Sequence, residues 1–218
     1  MLPFDKLWEQ YNRIIKEHGC IALFGREPFS SELRLSNKKM YRYDWVWNKV
    51  NGGNPLLAKK IPMNVTENIS IFYKKLPTYN PIKETKDPKN LRNRKKHATF
   101  GDNYASGMTD TSKSDIPGTK KYPKNIINID CWSRELNHKA KRFHPTQKPI
   151  LLLEYLIKTY TNEGMTVLDN CMGSGSTGVA CVNTNRNFIG YELQPEYFEI
   201  AQNRIKDAQN NKRKELIC

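Results

Sequence analysis

The alternation of apolar and polar positions predicts an α/β order of elements in the first third of the chain. Apolar residues from Phe4 to Ile15 recur at spacings of three and four, the period of an amphipathic helix. The continuous apolar run Cys20–Phe24 predicts a short strand that is buried on both faces and therefore parallel to its neighbours. The other elements predicted here are a helix over 27–35 and strands over 40–47 and 68–73.

A second ordered region follows residue 142. Thr146 is predicted to cap a helix that has Pro149 in its first turn and extends to about Tyr160. The pattern then predicts strands over 166–169 and 187–192, each followed by a helix, the first over 176–183 and the second from Pro195 to about Gln209. This β-α-β-α order with parallel strands is typical of the nucleotide-binding half of a doubly wound sheet.

Residues 81–142 interrupt this order. They are rich in Lys, Asn, Asp and Gly and have almost no periodic apolar pattern, which predicts a loop-rich insert or arm. The chain carries 36 Lys and Arg against 22 Asp and Glu, a net charge of +14, of which this insert contributes +8 and residues 143–218 nothing. A basic region joined to a neutral one indicates a polyanionic partner, and nucleic acid is the leading candidate.

Several protein classes are disfavoured by the composition. The densest apolar run, Ile150–Ile157, is interrupted by Glu154 and is too short to span a bilayer, so we expect no membrane partner. The amino terminus has no basic leader or apolar stretch typical of a secretory signal. The five cysteines are scattered without a C-x-x-C pair, so we expect neither a disulfide framework nor a metal site, and a reducing cytoplasm is the expected setting.

A glycine-rich turn between the two late strands carries the candidate chemistry. Residues 169–178 read Asp-Asn-Cys-Met-Gly-Ser-Gly-Ser-Thr-Gly, where glycines allow close approach of a ligand and helix-start amides bind electron-rich groups. Glu192 ends the next strand, where an acidic residue accepts hydrogen bonds from a ribose. A tight turn with a solvated Glu192 is the alternative. The loop departs from G-x-G-x-x-G and lacks a Gly-Lys-Ser/Thr ending, which disfavours a nucleoside triphosphate.

With His-Pro-Thr-Gln-Lys-Pro at 144–149 and Asn-Phe-Ile-Gly-Tyr-Glu at 187–192, this loop closely resembles the S-adenosylmethionine-binding half of DNA amino-methyltransferases of the N6-adenine/N4-cytosine type. The order of motifs resembles the permuted β group of phage and bacteria, and segments 2–8, 21–25 and 43–49 resemble the same family. The resemblance implies a Rossmann-like S-adenosylmethionine-dependent methyltransferase fold, α/β with a doubly wound sheet. The domains implied are a front half of the core over 1–80, a target-recognition insert over 81–142 and a cofactor-binding half over 143–218.

The resemblance also implies S-adenosylmethionine as cofactor and double-stranded DNA as partner. The residues it assigns to the cofactor are Phe24, His144, Thr146, Lys148, Asp169, Cys171, Gly173, Ser174, Gly175, Ser176, Thr177 and Glu192. An ordinary core position remains equally open for Phe24, and Cys171 and Cys181 are interpreted as small packing residues rather than nucleophiles. The candidate DNA contacts are Arg92, Asn93, Arg94, Lys95 and Lys96, each of which remains open to being a solvated loop residue.

The catalytic motif of the family, Asp/Asn/Ser-Pro-Pro-Tyr/Phe, does not occur in the sequence, so no catalytic residue is assigned. In the permuted order this motif precedes the segment that resembles 2–8, and its strand lies beside the strand that ends at Asp169. We therefore expect a core that lacks one central strand and its loop.

The expected function is a site-specific DNA methyltransferase of the restriction-modification type that acts on a flipped base. The N6 amine of adenine is favoured over the N4 amine of cytosine as its target. We expect this chain to be truncated at its amino-terminal end and inactive alone. The alternatives are a DNA-binding pseudoenzyme and one subunit of a split methyltransferase whose other chain supplies the missing strand and loop. A methyltransferase of RNA or protein is disfavoured by the basic insert.

Overall fold

The structure is a computed structural model that describes residues 3–53, 55–85, 120–130, 143–144 and 146–217. Two compact units are present, one formed by residues 1–80 and 125–218 and the other by residues 81–124. The predicted insert over 81–142 and the smaller unit begin at the same residue and end differently. The difference arises because residues 126–128 form a strand of the main sheet.

The larger sheet has four strands, β1 (Ile21–Gly25), β2 (Tyr41–Gly53), β3 (Asn64–Phe72) and β6 (Ile126–Asn128). They lie in the order β1-β3-β2-β6. β3 is antiparallel to both β1 and β2, and β6 is parallel to β2. In the smaller unit, β4 (Glu84–Thr85) and β5 (Lys120–Lys121) form an antiparallel pair.

Helices cover both faces of the four-stranded sheet. Because side chains alternate along a strand, Ile69 and Ile71 of β3 point to one face and Phe72 to the other. Phe72 packs with α1 (Phe4–Ile14) and α2 (Phe29–Ser36) through Trp8 and Leu33. The opposite face packs on α3 (Ile150–Tyr160), where the Tyr160 hydroxyl accepts a hydrogen bond of 2.6 Å from the indole nitrogen of Trp45.

A separate two-stranded parallel sheet carries the late elements. β7 (Thr166–Asp169) and β8 (Asn187–Gly190) pair directly, α4 (Ser176–Asn183) connects them, and α5 (Pro195–Ile217) follows. Val167 and Phe188 pack against Leu153 and Ile157 of α3 and against α4, so α3 lies on both sheets. None of the helices among the described residues combines the length and the apolar character that a bilayer crossing requires.

The two sheets do not join. Among the described residues, β1 pairs only with β3 and β7 pairs only with β8, so one edge of each is unpaired. The outward face of the smaller sheet is also open, since the side chains of Leu168 and Ile189 are exposed. The prediction that β1 is parallel to its neighbours was wrong for β3, the strand with which it pairs, because the two are antiparallel.

Most predicted elements are found near their expected bounds. β2 extends to Gly53 instead of residue 47, β3 begins at Asn64 instead of residue 68, and one boundary each of α3 and α5 also differs. The prediction that Thr146 caps α3 was wrong, because α3 begins at Ile150 with Pro149 at its N-cap. The residue before a proline is disfavoured in the helical region, so Lys148 cannot belong to the helix. α5 extends past the expected end near Gln209 to Ile217.

Candidate functional site

The glycine-rich loop between β7 and α4 has a backbone that only glycine adopts easily. Gly173 and Gly175 have φ angles of +50° and +77°, in the left-handed region, and Gly175 is the N-cap residue of α4. A Cβ placed on Gly175 would lie 2.8 Å from the Cβ of Ala201 and 2.9 Å from its Cα. The loop is therefore held tightly against α5, and its shape is fixed by packing as well as by the glycines.

The side chain of Asp169 accepts hydrogen bonds from two residues of this loop. Its Oδ2 accepts a hydrogen bond of 2.6 Å from the Thr177 hydroxyl, and its Oδ1 accepts one of 3.1 Å from the backbone amide of Cys171. Both ends of the loop are thus tied to the carboxyl end of β7. The carboxylate also supplies a fixed negative charge at the edge of the parallel sheet.

Glu192 follows the end of β8 and contacts the same loop. Its Oε2 accepts a hydrogen bond of 2.9 Å from the Gly173 amide, and its Oε1 accepts one of 3.0 Å from the Gln194 amide. These amides, that of Gln194 first, lower the pKa of Glu192 below its ordinary value of 4.5. Each carboxylate oxygen has a further lone pair, so an ionised Glu192 can still accept hydrogen bonds from hydroxyl groups of a ligand.

His144 and Gln147 lie against the loop. The His144 ring is 3.4 Å from the position that a Cβ on Gly173 would occupy and makes an edge contact with Tyr197, with 4.4 Å between ring centroids. Ser174 donates a hydrogen bond of 3.1 Å to Oε1 of Gln147. Thr146 contacts His144 rather than the loop, with its hydroxyl 3.0 Å from Nδ1. The structure thus brings His144 to Gly173 and Gln147 to Ser174, and it places Thr146 against His144.

Lys148 reaches the four-stranded sheet instead. Its ammonium is 2.6 Å from Oε1 of Glu67 on β3, and the ammonium of Lys49 is 2.8 Å from Oε2 of the same carboxylate. The Lys148 ammonium also lies 5.0 Å from the centroid of the Phe24 ring, in the range of a cation–π contact. Phe24 itself packs in the core around α3, so the structure supports its packing position and brings it beside Lys148.

Glu67 is a buried carboxylate that holds two cations. It is 8% exposed, whereas the side chains of Lys49 and Lys148 are 21% and 23% exposed. Burial alone would raise the pKa of Glu67, but the hydrogen bonds from Lys148 and Lys49 outweigh it and the pKa lies below 4.5. This ion triad ties Lys148, just before α3, to the end of the four-stranded sheet.

The change Glu67→Gln is expected to lower the free energy of unfolding by about 2–3 kcal/mol at pH 7, because it leaves two partly buried ammonium groups without their carboxylate. The folded-state pKa of Glu67 is depressed, so its contribution is fully present above the ordinary value of 4.5 and is lost as the pH falls through the folded-state pKa. Urea unfolding of both proteins between pH 3 and pH 8 (about five points) measures this difference.

The matched control is Glu17→Gln, which removes an exposed carboxylate paired with Lys75 at 2.7 Å. Its effect is expected to stay below about 0.5 kcal/mol. An equal effect of the two substitutions, or a Glu67 effect that does not shrink at low pH, would contradict the assigned role of the triad.

Three positioning residues were missed by the sequence analysis. Arg204 of α5 donates hydrogen bonds to the Ser174 hydroxyl at 2.9 Å and to the Ser176 hydroxyl at 3.3 Å, and burial lowers its pKa. Tyr11 of α1 donates a hydrogen bond of 3.0 Å to the side-chain oxygen of Asn170. Glu67 is the third. Nothing in the local pattern marks these residues, since each acts on a segment distant in sequence.

The remaining predicted residues are the cysteines and the candidate DNA contacts. Cys181 is fully buried in the cluster around α4, as expected of a packing residue, whereas Cys171 is exposed, so packing does not account for it. Arg92, Asn93, Arg94, Lys95 and Lys96 lie outside the described residues. Within the described ranges, no three His, Cys, Asp or Glu side chains form a group that could hold a metal ion.

A parallel strand pair, a glycine-rich loop at the start of the connecting helix and a carboxylate after the second strand are typical of a Rossmann-like fold. A family model described as DNA methylase matches residues 4–203. This chain therefore belongs to the DNA methylase family, in agreement with the resemblance found in its motifs.

Individual proteins of known sequence or structure support this assignment. The Type II methyltransferase M2.DpnII of Streptococcus pneumoniae is 43% identical over 84 residues, 37% of this chain and 31% of that protein. The Type II methyltransferase M.HpaI of Haemophilus parainfluenzae is 28% identical over 221 residues, 96% of this chain and 60% of that protein. The crystal structure of the M1.HpyAVI–SAM complex has a TM-score of 0.62 and 27% identity over 93% of this chain and 83% of that one. The chain thus spans less than two thirds of these two curated relatives.

Proposed function

We propose that this chain binds S-adenosylmethionine at the loop 169–178 and is the cofactor-binding part of a DNA amino-methyltransferase. The observation that carries the proposal is the hydrogen bond between the Gly173 amide and Glu192, which joins the loop after β7 to the residue that follows the adjacent parallel strand β8. Ligands of open α/β sheets bind at the carboxyl ends of the strands. The structure of M1.HpyAVI with S-adenosylmethionine supports the choice of ligand.

The residues at this edge fit the chemistry of that cofactor. The ionised carboxylate of Glu192 can accept hydrogen bonds from the two ribose hydroxyls, and Asp169 offers negative charge toward the ammonium and sulfonium groups. Leu193, next to Glu192, is 99% exposed and offers an apolar surface to a purine ring. Gly173 has no side chain to occupy the position beside the His144 ring, from which a Cβ would lie only 3.4 Å away.

When bound, S-adenosylmethionine supplies an electrophilic methyl group. The role of this chain is to hold that group in place, with Asp169 and Arg204 fixing the loop from its two sides. The methyl acceptor is the exocyclic amine of a base in double-stranded DNA, and N6 of adenine is favoured over N4 of cytosine. Residues 92–96 stay the candidate contacts to DNA, and digestion of the methylated duplex to nucleosides distinguishes the two amines.

An additional strand completes the catalytic site in this proposal. The unpaired edges of β1 and β7, both packed on α3, can accept a strand that pairs with each of them. An apolar strand that ends in Asp-Pro-Pro-Tyr and pairs with the free edge of β7 would place the family's amine-binding loop beside Asp169. If another chain supplies this strand and its loop, the present chain is one subunit of a split enzyme.

Co-expression with such a polypeptide tests the proposal. The full 218-residue chain alone is expected to transfer no tritiated methyl groups from S-adenosylmethionine to duplex DNA, and the strand with its loop is expected to bring transfer at least about 100-fold above background. The matched control polypeptide carries Asp-Ala-Ala-Tyr.

Transfer by the chain alone would contradict the need for an added strand. Cofactor binding without transfer under any complementation would favour a DNA-binding pseudoenzyme. Transfer to RNA or protein in preference to DNA would contradict the proposed substrate.

A further inference from the structure

The loop between β2 and β3 exposes apolar side chains at its tip. Leu56 is 96% exposed, and three further apolar residues of the loop, Leu57, Ile61 and Met63, are each more than 40% exposed. Exposed leucines that stand singly are ordinary, but a cluster of four within eight residues is the kind of surface that contacts a partner.

The tip is a formed structure. Residues Pro55–Leu57 make a turn of 3-10 helix, and the Leu57 carbonyl accepts hydrogen bonds from Lys60 at 2.8 Å and Ile61 at 3.0 Å. Val50, near the end of β2, has a φ of +65°, a strained value for a β-branched residue, and its amide donates a hydrogen bond of 3.0 Å to the Asn48 side chain. The backbone therefore presents the apolar side chains in a defined direction.

The charge of this region matches a polyanion. Residues 50–66 contain Lys59 and Lys60 and no Asp or Glu, whereas Lys49, just before them, is paired with Glu67. Lys59 and Lys60 are exposed and lie between the apolar residues of the tip. An apolar tip flanked by free ammonium groups is complementary to duplex DNA, whose phosphates meet the lysines and whose base stack accepts the apolar side chain.

The loop is linked to the segment that contains Lys148 through the two strands from which it extends. The strand ends from which it extends carry Lys49 and Glu67, which are the residues joined to Lys148 of the segment 143–149. A duplex whose base enters the cofactor edge would therefore pass this loop. A base that leaves the stack opens a gap that must be filled or collapse.

We propose that residues 55–63 are a DNA wedge, in which Leu56 enters the base stack and Lys59 and Lys60 bind the flanking phosphates. This inference rests on the proposed DNA substrate and adds to it a specific element that holds the duplex open. The recognition it describes is independent of base sequence, since an apolar side chain between base pairs reads stacking rather than hydrogen-bonding groups.

Fluorescence anisotropy with two duplexes, one intact and one with a single abasic site, tests the wedge without requiring base flipping. The wild-type chain is expected to bind the abasic duplex about 5-fold more tightly, because the gap accepts Leu56 at no unstacking cost. Leu56→Ala is expected to bring this ratio to about 1, whereas Lys59→Gln with Lys60→Gln is expected to weaken both duplexes about equally and to reduce the salt dependence. Leu35→Ala, which changes an exposed leucine of α2, is the matched control.

A ratio near 1 for the wild-type chain, or an unchanged ratio in Leu56→Ala, would overturn the wedge. Sedimentation that shows a dimer of the wild-type chain and a monomer of Leu56→Ala would overturn it in favour of a contact between two copies. Failure of the wild-type chain to bind any duplex would overturn both the wedge and the proposed DNA substrate. Binding of S-adenosylmethionine, measured separately, tests the proposed cofactor role and is expected to be unchanged by Leu56→Ala.

Discussion

The substitution Asp169→Ala is expected to weaken S-adenosylmethionine binding at least about 100-fold, which corresponds to about 2.7 kcal/mol. The physical reason is that the carboxylate has two functions in the loop. It accepts hydrogen bonds from Thr177 and from the Cys171 amide, and it supplies negative charge for a cofactor that carries an ammonium and a sulfonium group. Alanine removes both, and the loop loses its connection to the end of β7.

Two further variants separate these functions. Asp169→Asn keeps an acceptor for the Cys171 amide and removes the charge, so an intermediate loss of about 10-fold is expected. Asp207→Ala removes an exposed carboxylate on α5 and is expected to leave binding unchanged. Circular dichroism of all three proteins establishes that the fold is retained. Binding by Asp169→Ala at the wild-type level would contradict the assignment of this loop to the cofactor.

The second large effect is expected from Gly175→Ala, which should destabilise the protein by more than about 4 kcal/mol and abolish cofactor binding. An alanine there would have a positive φ and a Cβ that overlaps the backbone of Ala201, so α4 and α5 would have to separate. Thermal unfolding followed by circular dichroism measures the loss.

Gly164 provides a matched control for backbone strain. It has the same φ of +77°, and a Cβ added to it meets nothing within 4 Å. Gly164→Ala should therefore cost only the strain of the left-handed conformation, about 1–2 kcal/mol, and leave cofactor binding intact. Equal losses in the two variants would mean that the close contact between the loop and α5 contributes nothing to the stability of the site.

The sequence predicted those parts of the fold in which local pattern and tertiary structure agree. The loop 169–178 could be placed because its glycines follow an apolar strand and precede a helix, and the structure has both elements at the expected residues. Helix α1 could be predicted because its apolar residues recur with the 3.6-residue period of a helix, and Trp8 on that apolar side is buried. In each of these cases the signal is contained within about fifteen residues.

The sequence did not predict features that depend on distant contacts. Glu67 lies at the polar end of β3, and its burial depends on Lys148, 81 residues away. The end of α5 is similar: Lys212 donates hydrogen bonds to the Val182 carbonyl and the Asn185 side chain, which extends the helix through a polar segment that local propensity would end. β1 was expected to be parallel from its apolar run alone, but such a run reports burial and not the direction of the neighbouring strand.

The most direct test of the account is calorimetric titration of the full wild-type chain with S-adenosylmethionine, beside ATP and NAD as ligands that share the adenosine group. We expect saturable binding of one S-adenosylmethionine per chain and weak or absent binding of ATP and NAD. We also expect Glu192→Gln to lose binding, because the Glu192 carboxylate joins the loop to the end of β8. Absence of binding by the wild-type chain, or binding that Glu192→Gln leaves unchanged, would contradict it.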